Sequence, residues 1–118
     1  MKVVLAEKPS VARYIAKHLK AGQRRDGYLE GEGWAVTWAF GHLVELKEPE
    51  EYRPEWKSWK ISTLPMIPER FELRARGDDG ARKQLETVKT LFEGSEEIVC
   101  ATDAGREGEL IFRYILEW

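Results

Sequence analysis

The sequence predicts an α/β fold in one domain. Apolar, β-branched runs alternate along the chain with segments whose apolar residues recur at helical spacing. Two strand-like runs, Lys2 to Ala6 and Glu97 to Ala101, lead directly into helices. A length of 118 residues with 42% hydrophobic content suffices for one core and is too short for two. That content and five Trp exclude a disordered tail, a collagen-like repeat and a coiled coil. The single Cys100 excludes a disulfide framework and a cysteine zinc site, so a reducing, cytoplasmic setting is expected. The opening apolar run, Val3 to Ala6, is too short for a secretory signal or a membrane span, so no membrane partner is expected.

Each element has its own signal. Lys2 to Ala6 reads as a buried strand because its apolar residues are continuous rather than alternating. Pro9 suits the first position of a helix, Ser10 can satisfy a free first-turn amide, and Val11, Ile15 and Leu19 recur at fourfold spacing, with a stop near Ala21-Gly22. Tyr28 to Glu30 and Trp34 to Phe40 flank Gly31-Glu32-Gly33, a hairpin pattern. Trp34, Val36, Trp38 and Phe40 alternate onto one face and are expected in the core rather than as a stacking platform for bases.

From residue 47 to 76 the periodicity is lost. Pro49, Pro54, Pro65 and Pro68 interrupt any long element, and Trp56, Trp59 and Phe71 are expected to pin the inserted loop onto the body. Asp78-Asp79-Gly80 starts a helix with Leu85, Val88 and Phe92 on one face and Gly94 at its end. Glu97 to Ala101 reads as a second buried strand, and Gly108 to Trp118 as a helix with Leu110, Ile111, Tyr114, Ile115 and Trp118 inward. That helix has no stop signal, from which a longer polypeptide is expected. The sequence contains no internal repeat or low-complexity tract.

The net charge of −2 conceals segregation: residues 1–25 carry seven basic groups and one acid, residues 26–52 one and seven, residues 93–118 two and seven. Basic and acidic stretches folded side by side suit a phosphate held next to metal-binding carboxylates, although such runs also describe solvated helix faces. Two strand-to-helix junctions carry the relevant groups, Ala6-Glu7-Lys8-Pro9-Ser10 and Ala101-Thr102-Asp103-Ala104-Gly105-Arg106-Glu107-Gly108-Glu109. In an open parallel sheet, junctions at the carboxyl ends of strands share one crevice. Glu7, Asp103 and Glu107 would then meet, an oxygen donor set suited to Mg²⁺. Neither junction has the Gly-rich run of a phosphate-cradling P-loop.

The chain resembles the N-terminal Toprim domain of type IA DNA topoisomerases, most closely the topoisomerase III group. The matching residues are Ala6-Glu7-Lys8-Pro9-Ser10, Phe40-Gly41-His42-Leu43, Leu64-Pro65 with Pro68 and Phe71, and Thr102 through Glu109, four motifs in the family's order over the whole chain. The resemblance implies a Rossmann-like Toprim fold over residues 1–118, a four-stranded, mainly parallel sheet between helices, with the hairpin and the loop of about 47–76 inserted. It further implies Mg²⁺ as cofactor, single-stranded DNA as partner, and remaining domains of the same polypeptide to work with. One position departs from the pattern: the second motif acid is here Gly105, which cannot ligate, so water is expected in its place.

The resemblance also implies roles. A tyrosine attacks a phosphodiester, charge builds on the phosphoryl oxygens, and the departing 3′ oxygen needs a proton or a cation. Glu7 is expected as general acid or metal ligand, Lys8 at the scissile phosphate, and Asp103 with Glu107 on the metal. His42 and Arg106 are expected at DNA phosphates, with a capping or packing role and a bridge to Glu109 as their respective alternatives. Arg70, Arg74 and Arg76 are candidate backbone contacts. Tyr14, Tyr28, Tyr52 and Tyr114 stand in no matching motif, so the nucleophile is expected from a later domain and the 118 residues alone are expected to be inactive. A Toprim nuclease or primase would use a similar acidic site. A receiver-like signalling module would need an adjacent acid pair after the first strand and a lone late Lys, neither of which is present.

Overall fold

The architecture described here is that of a computed structural model covering residues 1–118. Its central sheet has five strands in the order β2-β3-β4-β1-β7, namely β1 (Lys2–Ala6), β2 (Gln23–Arg25), β3 (Tyr28–Gly31), β4 (Trp34–Trp38) and β7 (Glu97–Ala101). The expected parallel core is β4, β1 and β7, with β1 in the middle and both neighbours parallel to it. The count is five rather than four because β3 and the short β2 extend the sheet as an antiparallel ribbon.

Strand β1 is central because it can be buried on both faces. Val3, Val4, Leu5 and Ala6 are all buried, Leu5 in one apolar cluster and Val4 and Ala6 in the other. Helix α1 (Pro9–Leu19) covers the second face, where Ala12 and Ala16 meet Val4, Leu29 and Val36. Pro9 takes the first helical position as expected, but Ser10 makes no cap, and the helix closes on Lys20 in the left-handed region, φ 59, before reaching Gly22. Trp34, Val36 and Trp38 line this face of β4, whereas Phe40 lies past the strand end and packs into the opposite cluster. The hairpin turn places Glu32 at φ 51 and Gly33 at φ 80, the paired positive values of a type I′ turn.

The other face is covered by α3 (Asp79–Glu93) and α4 (Arg106–Glu117), where Ala81, Leu85 and Val88 meet Leu5, Leu43, Ile111 and Ile115. Asp78 caps α3 by accepting from the Ala81 N–H at 3.2 Å. The Gln84 side-chain amide reaches from α3 to the Gly27 carbonyl at 3.0 Å, the Trp38 carbonyl at 2.8 Å and the Thr37 hydroxyl at 3.1 Å, locking α3 to the sheet. α4 starts two residues earlier than its apolar pattern suggests. Its buried stripe is Gly108, Ile111, Phe112 and Ile115, leaving Leu110 and Trp118 exposed, contrary to expectation. β7 is an edge strand and is only half-buried, because β1 pairs with one side of it alone.

The insertion differs most from the sequence reading. Its neck is a two-stranded antiparallel ribbon of β5 (Val44–Leu46) and β6 (Leu73–Ala75), with Val44 opposite Ala75. Beyond it lie α2 (Pro49–Tyr52) and two 3₁₀ turns, Pro54–Lys57 and Ile61–Thr63. α2 and the first turn pack on each other rather than on the sheet. Trp56 is buried within the insertion, its ring 6.4 Å from that of Tyr52 and under Arg53, whereas Trp59 and Phe71 are exposed, Phe71 at the edge of a shallow hollow that it shares with Leu46, Leu73 and Tyr114. No helix is long and apolar enough to cross a membrane.

Candidate active site

The register of the parallel core dictates where the two junctions meet. Ala6 pairs with Ala101, so the residues following each strand emerge side by side at the carboxyl end of the sheet. From there the chain turns to opposite faces, into α1 after β1 and into α4 after β7, which opens a crevice between the two loops. Glu7 Oε1 accepts a hydrogen bond from the Asp103 N–H at 3.3 Å, linking residues 96 positions apart. The Glu7 carboxyl is held above the ordinary carboxylate range, first by its partial burial, then by a hydrogen bond to the Asp103 carboxyl and by the like charges of Asp103 and Glu107. The Asp103 amide pulls it the other way. The mutual repulsion of these acids is what a bound cation relieves.

Glu107 stands in the first turn of α4 with its side chain 79% exposed, and His42 Nε2 lies 3.6 Å from its Oε1. His42 is delivered by the loop after β4. That loop is anchored by Leu43, which is fully buried, and by Gly41 at φ 73, a left-handed conformation that favours glycine. Arg76 staples the same loop: its guanidinium donates to the Phe40 carbonyl at 3.2 Å, lies over the Phe40 ring and pairs with Asp78 at 2.7 Å. Arg74 is engaged by Glu45 and Glu51, and Arg70 is exposed on the insertion near Glu72. Arg74 and Arg76 therefore serve the neck of the insertion and the His42 loop. Arg106 does not bridge to Glu109, which pairs instead with Arg113 at 2.8 Å. Lys8 is exposed at the start of α1 and forms no ion pair.

Sequence reasoning missed Gly108. A Cβ at this position would lie 2.8 Å from the Asp103 carbonyl carbon and 2.9 Å from its nitrogen, and closer still to its oxygen. The first turn of α4 thus rests directly on the backbone of a site residue. Only the burial of position 108 amid exposed neighbours signals this, and burial is not written in the local sequence.

Glu7 contacts the Asp103 amide and feels the charges of the Asp103 and Glu107 carboxylates, oxygen groups of the kind a hard divalent ion takes, while the N-termini of α1 and α4 beside them favour an anion such as phosphate. Glu7, Asp103 and Glu107 do not close into the three-carboxylate set expected from the sequence: no three acid, His or Cys side chains stand close enough to hold an ion unaided, so an ion here would have to keep several waters.

An open α/β domain with acids gathered beyond adjacent parallel strands places its candidate site where folds of this class bind their ligands. Within that class the chain belongs to the Toprim domain family, whose model matches residues 2–118. It is 52% identical over 118 residues to the DNA topoisomerase 3 of Shouchella clausii and 51% identical over 117 residues to that of Bacillus anthracis, in each case across 98% of this chain. The DNA topoisomerase 3 of Bacillus licheniformis is 50% identical over 117 residues. The chain spans 16% of the length of each of these relatives.

Proposed function

We propose that this chain is the magnesium-binding part of a type IA DNA topoisomerase of the topoisomerase III group, an ATP-independent cytoplasmic enzyme that cleaves, passes and religates single-stranded DNA. The observation that carries the reading is the contact between Glu7 and Asp103 across the carboxyl ends of β1 and β7. Identity of about half to proteins named DNA topoisomerase 3 supports the choice among Toprim enzymes.

In this reading a tyrosine from elsewhere in the polypeptide attacks a backbone phosphodiester. A bond forms from its phenol oxygen to phosphorus, the bond to the 3′ oxygen breaks, and the departing oxygen takes a proton. Glu7, whose carboxyl is held upward, either donates that proton or ligates the metal. Lys8 meets the scissile phosphate as a point charge, and His42 and Arg106 contact neighbouring phosphates. Asp103 and Glu107 would hold Mg²⁺, and Gly105, having no side chain, would contribute no ligand. A bound Mg²⁺ supplies charge stabilisation for the phosphoryl oxygens. The attacking tyrosine is assigned to another part of the polypeptide, since Tyr14, Tyr28, Tyr52 and Tyr114 stand in no motif of the family; Tyr52 is engaged with the backbone of Glu72 and Tyr14 packs on His18.

The test is a calorimetric Mg²⁺ titration of the 118-residue protein beside Asp103→Ala. The substitution is expected to weaken binding by at least about tenfold, the scale on which losses around metal ligands are felt. Equal affinity would remove the site.

A further inference from the structure

Free cations gather on the outer face of α1. Between Lys8 and Arg25 the sequence holds no acid. Lys8, Arg13, Lys17, Lys20 and Arg24 are all exposed, and the ion pairs of this part of the chain engage Lys2 and Arg25 instead. Arg13 and Lys17 stand one turn apart. Tyr14 and His18 lie two residues on from the buried Ala12 and Ala16, about 200° around the helix and so pointing away from the sheet. Tyr14 is 67% exposed, with its ring edge-on to His18 at 4.7 Å between centroids. Arg24 adds to the same side, because it pairs across the ribbon with Leu29, which packs with Ala12 and Ala16, and cross-strand partners share a face. The acids of the surrounding elements are engaged elsewhere: Glu30 by Arg25 at 2.6 Å, Glu97 by Lys2 at 3.9 Å, Glu96 by the amino terminus at 3.4 Å and Asp26 by Lys83 at 3.2 Å. Glu32, on the hairpin turn beside the end of α1, is the one acid there outside the candidate site that has no partner.

We infer that this face is a track for single-stranded DNA, with phosphates held by Arg13, Lys17 and Arg24 and a base stacked on Tyr14. Cations in the last turn of a helix offset its dipole, which accounts for Lys17 and His18. That does not account for Arg13 in the middle of α1, for Arg24 on the ribbon, or for a phenol ring exposed among them. A cationic strip with an exposed aromatic is how single strands are held without reading their sequence. Helix α1 begins just after Lys8, next to the contact between Glu7 and Asp103, and its 11 residues rise about 16 Å. A strand lying along it therefore continues from the candidate site. The inference rests on the topoisomerase reading above for the choice of single-stranded DNA among polyanions, and it adds a surface that reading does not use.

The experiment is fluorescence anisotropy of a labelled oligo(dT) with the 118-residue protein in EDTA, which takes the metal site out of the readout. The double variant Arg13→Ala with Lys17→Ala is expected to weaken binding several-fold. It should also flatten the dependence of log K on log salt by about 1.4, at about 0.7 for each single-strand phosphate contact. Tyr14→Leu keeps an apolar helix former without the ring, and is expected to weaken binding about tenfold at an unchanged salt slope, while Tyr14→Phe binds as the parent does. All three side chains are exposed, so thermal melts of the variants should match that of the parent. The double variant or Tyr14→Leu binding like the parent overturns the inference, as does a parent that does not bind. Poly-glutamate or phosphatidylserine vesicles displacing the oligonucleotide at equal charge also overturn it, in favour of an acidic protein or a membrane surface. The Mg²⁺ titration of Asp103→Ala reports on the carboxylates alone, so either reading can fail without the other.

Discussion

Replacing Gly108 by Ala tests whether the α4 turn positions Asp103. The added Cβ would fall 2.8 Å from one Asp103 backbone atom and 2.9 Å from another, where ordinary van der Waals contact begins at 3.4 Å. The Asp103 carbonyl oxygen lies closer still to the added Cβ, so the Asp103 backbone must retreat by on the order of an ångström or more, and it cannot rotate aside as a side chain would. Helix propensity alone favours Ala over Gly by about 1 kcal/mol. Overpacking against a fixed neighbour costs about 1–3 kcal/mol, and here it wins. Because the clash is with a backbone carbonyl, the overpacking cost lies at the upper end of that range, and we expect a net loss of about 2 kcal/mol or more in urea unfolding, with Tm falling by roughly 3–6 °C for each kcal/mol in a domain of this size. Mg²⁺ affinity should drop by about tenfold, because the group that contacts Glu7 has moved. Gly105→Ala is the internal control: a Cβ there meets nothing within 4 Å, its φ of −160 is extended backbone, and stability should stay within about 0.5 kcal/mol of the parent. A Gly108→Ala protein that melts and binds Mg²⁺ like the parent would refute the reasoning.

Other outcomes can be checked as directly. Gln84→Leu removes the side-chain donor to the Trp38 carbonyl, while the Gly27 carbonyl keeps the Thr37 hydroxyl at 2.9 Å, and should cost on the order of 1–3 kcal/mol in urea unfolding; a neutral result would mean that water replaces the amide. The Arg76 guanidinium, with the Ala81 amide, holds the Asp78 carboxyl below the ordinary aspartate range. A lowered acid stabilises the fold above its unfolded pKa of about 3.9 and loses that contribution as pH falls through the lower folded value. The stability gap between the parent and Asp78→Asn should thus be full at neutral pH and shrink below about pH 4; a gap independent of pH would remove Asp78 from this role. Incubated with supercoiled plasmid and Mg²⁺, the 118-residue protein should neither nick nor relax it, and relaxation would mean that one of its own tyrosines attacks.

How much of this was legible in the sequence depends on how local each signal is. Pro9, the continuous apolar run of β1 and the Asp78 cap act within a few residues of themselves, and those elements lie where they were expected. β2 is Gln23-Arg24-Arg25, with no apolar residue, and exists only because β3 offers it hydrogen bonds. β5 and β6 are three residues each and find one another across the whole insertion, so neither has a pattern of its own. Trp59 and Phe71 look like core residues by composition, yet both are exposed on the insertion. At the site, the junction motifs identified Glu7 and Asp103, and the in-register pairing of β1 with β7 brings them into contact. The staple formed by Arg76 and the packing of Gly108 on Asp103 are three-dimensional facts with no periodicity to betray them.

The ribbon at the base of the insertion has a corollary for chain length. With Val44 held opposite Ala75, the excursion between them leaves and re-enters the body at nearly one point. Lengthening or shortening such a cassette changes its closure entropy only logarithmically and leaves the sheet's strand register alone. What lies beyond the neck can change in length while the sheet and the two junctions that bring Glu7 to Asp103 keep their shape.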